Sequence, residues 1–179
     1  MFHSYLDERH MGIWQGRDVY QLLVPLRFSV WGFLYGEAPQ SMWTDHSSVP
    51  RQSLMPIIYA KWGGRCTKES VPHDYGYRRG ASLWVIWDRY DTRVQTNEQE
   101  IPEDVLTWLM EHYGQEIITD IPRFVWDVIF RQLMIEEGEP LDLYDPMYLA
   151  VKLGGGSSYH VFEVMDPLPC DRINMYALD

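Results

Sequence analysis

The sequence predicts an α+β fold in one domain, a small, mostly antiparallel sheet joined to a cluster of three to five helices. Leu26, Phe28 and Val30 alternate with Arg27 and Ser29, which is the period of a half-buried strand. Helical patterns gather after residue 66. The clearest is Ile121, Phe124, Val125, Val128, Ile129 and Leu133, an i, i+3, i+4, i+7 stripe. Hydrophobic residues make up 46% of 179, enough for a packed core at the size of one domain, 1–179.

Taken in order, residues 18–33 read as strands, with Pro25 marking an edge position or a break between two of them. Gly32 and Gly36 punctuate, and 37–41 is loop by composition. Residues 44–51 are rich in capping types and lead through Pro50 into a short helix candidate, 54–62, ended by Gly63 and Gly64. Thr67 or Ser70 can cap a second helix, with Pro72 in its first turns and Gly80 as its stop. On that helix His73 and Tyr77 share a face, and Asp74 and Arg78 share the next one. Residues 82–90 fit a helix or a buried strand equally well, and 91–100 read as a polar loop. Pro102, Glu103 and Asp104 open a helix that runs to Gly114. The next helix starts at 120–122, and Trp126, Phe130 and Met134 give it a second apolar face, so it should be buried. A last helix, 146–153, ends at three glycines. The stretch 159–164 is expected to be a strand in the same sheet as 18–33.

Charge and composition remove several function classes. A formal net charge of −11 repels phosphate and argues against direct nucleic-acid binding. It fits a soluble protein, a basic protein partner or a DNA-mimicking inhibitor. Aromatic residues reach 15%, including 8 Trp and 12 Tyr, a supply of large rings for a core or an interface. Cys66 and Cys170 have no metal or disulfide spacing and read as reduced thiols. Residues 1–9 lack the pattern of a signal peptide, and no apolar run approaches bilayer length, so no membrane partner is expected.

The polar residues that could carry chemistry fall in three places. Asp127 interrupts an apolar helix, where an unpaired carboxylate would cost several kcal/mol. It can pair with Arg123 and Arg131, four residues to either side, or meet His73 or a metal ion across the core. His73 and Asp74 suit a metal ligand or general base with its orienting carboxylate, or a buried pair that pins the loop at 44–51. Asp45 can join that site or simply cap a turn at Ser47 or Ser48. No Gly-x-Ser-x-Gly elbow surrounds Ser47 or Ser48. The glycines at 154–156 follow a helix and so do not form a phosphate loop.

Four motifs occur in order: Thr44-Asp45-x-x-Ser48-Val49-Pro50, His73-Asp74-x-x-Tyr77-Arg78, Asp127 with Phe130, and Met147-Tyr148-x-Ala150-Val151. In this order they resemble a domain-of-unknown-function family encoded by tailed bacteriophages and prophages, over residues 28–159. The resemblance implies a phage origin and an α+β fold, with Asp45, Ser48, Pro50, His73, Asp74, Tyr77 and Asp127 as shared positions. The chain departs from the family pattern at His46, where members usually carry an apolar residue, at Pro72, and in the loop 88–100 with the first helix after it, which look like an insertion.

Three functions follow as expectations. The leading one is a phage accessory or virion (tail or neck) protein whose His-Asp cluster is a structural clasp and whose partners are other phage or host proteins. It would sit in the cytoplasm of the infected host or in the virion. The second is a metal-dependent hydrolase. Asp45, His73 and Asp127 would hold one divalent ion, His73 and Asp74 would be catalytic, and Ser48, Tyr77 and Arg78 would bind substrate. The third is an acidic inhibitor of a host defence protein.

Overall fold

The computed structural model describes residues 1–14, 17–46, 67–96, 101–154, 160–167 and 173–174. The helix expected at 54–62 and the candidate Ser48 lie outside them. Among the described residues, two small antiparallel sheets and five helices make up one α+β fold, the predicted class, although the sheet is double where a single one was expected.

The first sheet contains β1 (Glu8–Trp14), β2 (Arg17–Leu22), β5 (Trp43–Thr44) and β8 (Ile173–Asn174), in the order β5-β2-β1-β8. The second contains β3 (Leu26–Val30), β4 (Leu34–Ala38), β6 (Ser82–Val85) and β7 (Ile117–Thr119), in the order β3-β4-β6-β7. The strand region expected at 18–33 therefore belongs to two sheets. The chain leaves the first after Leu22 and enters the second at Leu26, with Pro25 at the crossing. Proline has no N–H to give a ladder, so pairing breaks there.

Residues 1–3 run beside β3, with Ser29 N–H donating to the Met1 carbonyl and His3 N–H to that of Arg27. β3 and β4 form a hairpin closed over Trp31 and Gly32, both at positive φ. Trp31 is a bulky residue in that region, and its N–H is held by the Glu136 carboxylate at 3.0 Å.

The helices are α1 (Thr67–Gly76), α2 (Trp87–Thr96), α3 (Glu103–Glu111), α4 (Arg123–Glu136) and α5 (Leu141–Gly154). The ambiguous stretch at 82–90 resolves into both alternatives, strand β6 and then the start of α2. That helix also replaces much of the polar loop expected at 91–100. The segment 159–164 is not a sheet strand in its described part. Residues 160–164 make turns and one parallel bridge, Arg79 with Glu163, and the tail joins the first sheet further on, through β8.

α4 is the central element. Its Val125, Trp126, Val128, Ile129, Phe130, Leu133 and Met134 are buried, whereas Phe124, expected in the stripe, is 36% exposed. One side of α4 meets α1 and β3 in a core built on Phe28, Phe33, Trp31 and Trp126. The other side carries Phe130 and Met134 into a smaller core with Leu143, Met147, Ala150 and Val151 of α5. Gly76 lets α1 approach α4, because a Cβ at that position would fall inside the Trp126 ring.

Candidate functional site

α1 and the turn after it supply the site, because residues 73, 74, 77 and 78 face two different neighbours. The helix stops at Gly76, short of the expected Gly80, so that Tyr77 and Arg78 lie in the turn. Pro72 is accommodated five residues after Thr67, within the early turns, and leaves the following residues helical. His73 and Tyr77, one turn apart, face α4. Their rings lie 4.1 Å apart between centroids, and Phe130 covers His73 at 5.0 Å.

Asp127 is 2% exposed in the middle of α4. The Tyr77 hydroxyl donates to its Oδ1 at 2.6 Å, and His73 Nε2 lies 3.4 Å from the same oxygen. The His73 contact is not aligned as a hydrogen bond, so it is an ion pair only when the imidazole is protonated. Arg123 and Arg131 do not neutralise Asp127 in the manner of ordinary helix pairs. Arg131 pairs with Asp145 at 2.9 Å, and Arg123 donates to the Lys152 carbonyl at 3.2 Å and acts on the Tyr77 phenol rather than pairing with Asp127. Of the two readings open in the sequence, the meeting with His73 across the core is the one observed.

On the other side of the imidazole, His73 Nδ1 lies 3.9 Å from Asp74 Oδ1, and the Thr44 hydroxyl donates to Asp74 Oδ2. A continuous polar path thus runs from β5 through α1 to α4. Burial works against a charged His73, but the contacts with Asp127 and Asp74 outweigh it and raise its pKa above the ordinary 6.5. Burial likewise opposes ionisation of Asp74. The His73 contact, the Thr44 hydroxyl and the His46 charge prevail, and hold its carboxyl below the ordinary 3.8. Burial and the Asp127 carboxylate push the Tyr77 phenol well above its usual range, so it remains a proton donor. An imidazole between two carboxyl groups, each also served by a hydroxyl, is the resulting arrangement.

The path continues beyond the residues that motif reading singled out. His46 Nε2 stands 2.8 Å from Glu8 Oε2 of β1, its Nδ1 is 3.3 Å from the Ser70 hydroxyl, and Tyr20 packs on its ring at 4.8 Å. Nothing in the sequence marks Glu8, since its link to His46 exists only through the pairing of β1, β2 and β5. Arg78 lies in a separate box. Its guanidinium stacks on Trp43 at 4.2 Å, donates to the Trp43 carbonyl at 2.6 Å and reaches the Glu163 carbonyl at 3.5 Å. Burial lowers its pKa, while Asp74 and Asp45 act in the opposite direction.

The sequence-predicted residues therefore divide. His73, Asp74, Tyr77 and Asp127 come together with Thr44. Arg78 is taken up by Trp43 and residues 160–167, and the charge of Asp45 acts on Arg78, whereas the carboxylates that act on His73 are Asp127 and Asp74. Among the described residues, no three His, Cys, Asp or Glu side chains are placed to hold a metal ion, so the residues present do not fit the divalent site. No family model, curated protein or solved structure matches the chain.

Proposed function

We propose that the His73 cluster is a structural clasp, and that the protein is a phage-encoded accessory or virion component of tail or neck type in which the clasp fixes the fold without catalysing a reaction. The observation that carries the clasp is the state of Asp127. Its carboxylate is buried, and it faces both the Tyr77 hydroxyl and the His73 imidazole. A cluster so occupied rigidifies a core and leaves few atoms for substrate. The phage setting rests on the family resemblance of the four motifs, and the abundance of rings suits a protein that packs against others.

The test compares stability and metal response. Removing one partner of a buried charged pair costs about 3–5 kcal/mol, because the other charge is left uncompensated. His73→Ala is therefore expected to be strongly destabilised in urea unfolding. Replacing both His73 and Asp127 by leucine should recover part of that loss. Chelator-stripped parent protein should melt at the same temperature with zinc, manganese, magnesium or calcium added. A gain of about 5–10 °C, the size expected of roughly 2.7 kcal/mol from an ion at 100 times its dissociation constant, would instead support the hydrolase reading. That reading would also require the gain to vanish in His73→Ala.

A further inference from the structure

Among the described residues, the second sheet has one covered margin and one open one. Residues 1–3 pair along β3, whereas β7 is the last strand on the opposite side. Its hydrogen-bonding phase follows from one contact, the Val85 N–H donating to the Glu116 carbonyl at 3.0 Å. In an antiparallel ladder the bonded pairs recur every second residue, so Leu83 with Ile118 is the next such pair. The N–H and C=O groups of Ile117 and Thr119 then point away from β6. Among the described residues they meet no backbone partner. Their side chains are exposed on the outer face, Ile117 beside its cross-strand partner Trp84, which is itself paired with Tyr35 of β4.

The edge is also acidic. Glu111, Glu116 and Asp120 are exposed around it, and the sequence has no lysine or arginine from 111 to 122. That charge decides between two kinds of added strand. A second copy pairing antiparallel about Ile118 would set Glu116 opposite Asp120 at both ends, and pairing about Ile117 or Thr119 would still bring acids of the two copies diagonal to one another; like charges so placed are destabilising. A basic strand meets complementary charge at the same places. We propose that β7 is a docking edge for an extended, basic segment of a partner protein. The segment adds as a further antiparallel strand, its apolar side chains extending the row of Tyr35, Trp84 and Ile117 and its lysines or arginines facing Glu116 and Asp120. This surface is independent of the clasp, and failure of either reading leaves the other in place.

The test uses a fluorescent synthetic peptide alternating lysine and valine, with two controls: the same peptide N-methylated on alternate backbone nitrogens, and its glutamate counterpart. Thr119→Pro removes only the outward N–H and should leave the ladder with β6 intact, because proline is tolerated where that group faces away from the sheet. Ile117→Lys alters the charge and the apolar row without touching the backbone. Far-UV circular dichroism and melting confirm that each variant is folded. Expected are binding of the basic peptide to the parent, and a loss of about tenfold or more in both variants and with the methylated peptide. The glutamate peptide should not bind. Equal binding by parent and variants, equal binding of the methylated peptide, or no binding of the basic peptide to the parent at about 1 mM overturns the proposal. A dimer in sedimentation that Thr119→Pro dissolves would overturn it in favour of self-pairing.

Discussion

His73 is the residue on which the pH behaviour of the protein turns. Its folded-state pKa is raised, so its contribution to stability is fully present below the unfolded value of 6.5 and is lost as pH rises through the folded value. Above that point the imidazole is neutral, and the buried Asp74 loses the cation beside it. Asp74 has the opposite sign. Its pKa is lowered, so its contribution is present above 3.8 and is lost as pH falls through the folded value. Together they give a stability window closed on the acid side by Asp74 and on the alkaline side by His73. Urea unfolding of the parent should weaken above about pH 6.5, with a slope approaching about 1.4 kcal/mol per pH unit for one proton. His73→Gln should be less stable at pH 6 but nearly flat over the same alkaline limb. A parent whose stability rises through that limb would reject the charged-imidazole account.

Between elements, the contact of α1 with α4 depends on the absence of a side chain at Gly76. In an exposed helix, Gly→Ala gains roughly 1 kcal/mol from propensity alone. At Gly76 the added methyl meets the Trp126 ring, and the sign should reverse. A loss of about 1–3 kcal/mol is expected, the usual cost of overfilling a core, measured as a shift of the urea midpoint. Pairing Gly76→Ala with Trp126→Leu should then cost less than the sum of the two single changes, since the smaller side chain makes room for the methyl. Additivity within a few tenths of a kcal/mol would show that α1 and α4 do not meet at this point. A second junction is at Arg78, where residues 160–167 are held against the end of α1. The backbone bonds Arg79 N–H to Phe162 and Val164 N–H to Arg79 fix that segment in register. Arg78→Lys keeps the charge but loses the planar stack on Trp43. It should loosen residues 160–167, seen as faster hydrogen exchange at Val164 relative to the unchanged α4.

Across the whole molecule, the two sheets share no strand. Among their links are the polar path from Glu8 and Thr44 through α1 to Asp127 of α4, the helix that packs on β3, and the core that joins Leu22 of the first sheet to Phe28 and Trp126. With both in place the chain should unfold as one unit, so tryptophan fluorescence and far-UV circular dichroism should give superimposable urea transitions. Thr44→Val removes the hydroxyl that serves Asp74 and cuts the path at the first sheet. About 1–3 kcal/mol should be lost, the cost of an unsatisfied buried acceptor. Two separate transitions in the parent would mean that the sheets are independent units.

What the sequence determined by itself was local and periodic. The strand alternation at Leu26 to Val30, the start of α3 after Pro102 and the burial of α4 follow from side-chain spacing and from the backbone demands of proline. Even the need for a partner at Asp127 could be read, because a carboxylate between two apolar faces cannot remain alone. Tertiary structure decided which partner it took. Arg131 instead pairs with Asp145 of α5, and Arg123 bonds the Lys152 carbonyl and acts on the Tyr77 phenol, while His73 and Tyr77 meet Asp127 itself; helix spacing contains no information about a neighbouring helix. The same reason divided one expected strand region between two sheets, brought Glu8 to His46, and drew Arg78 away from the imidazole into the Trp43 box. Periodicity reports which face of an element is apolar, whereas pairing across the chain depends on how those faces pack.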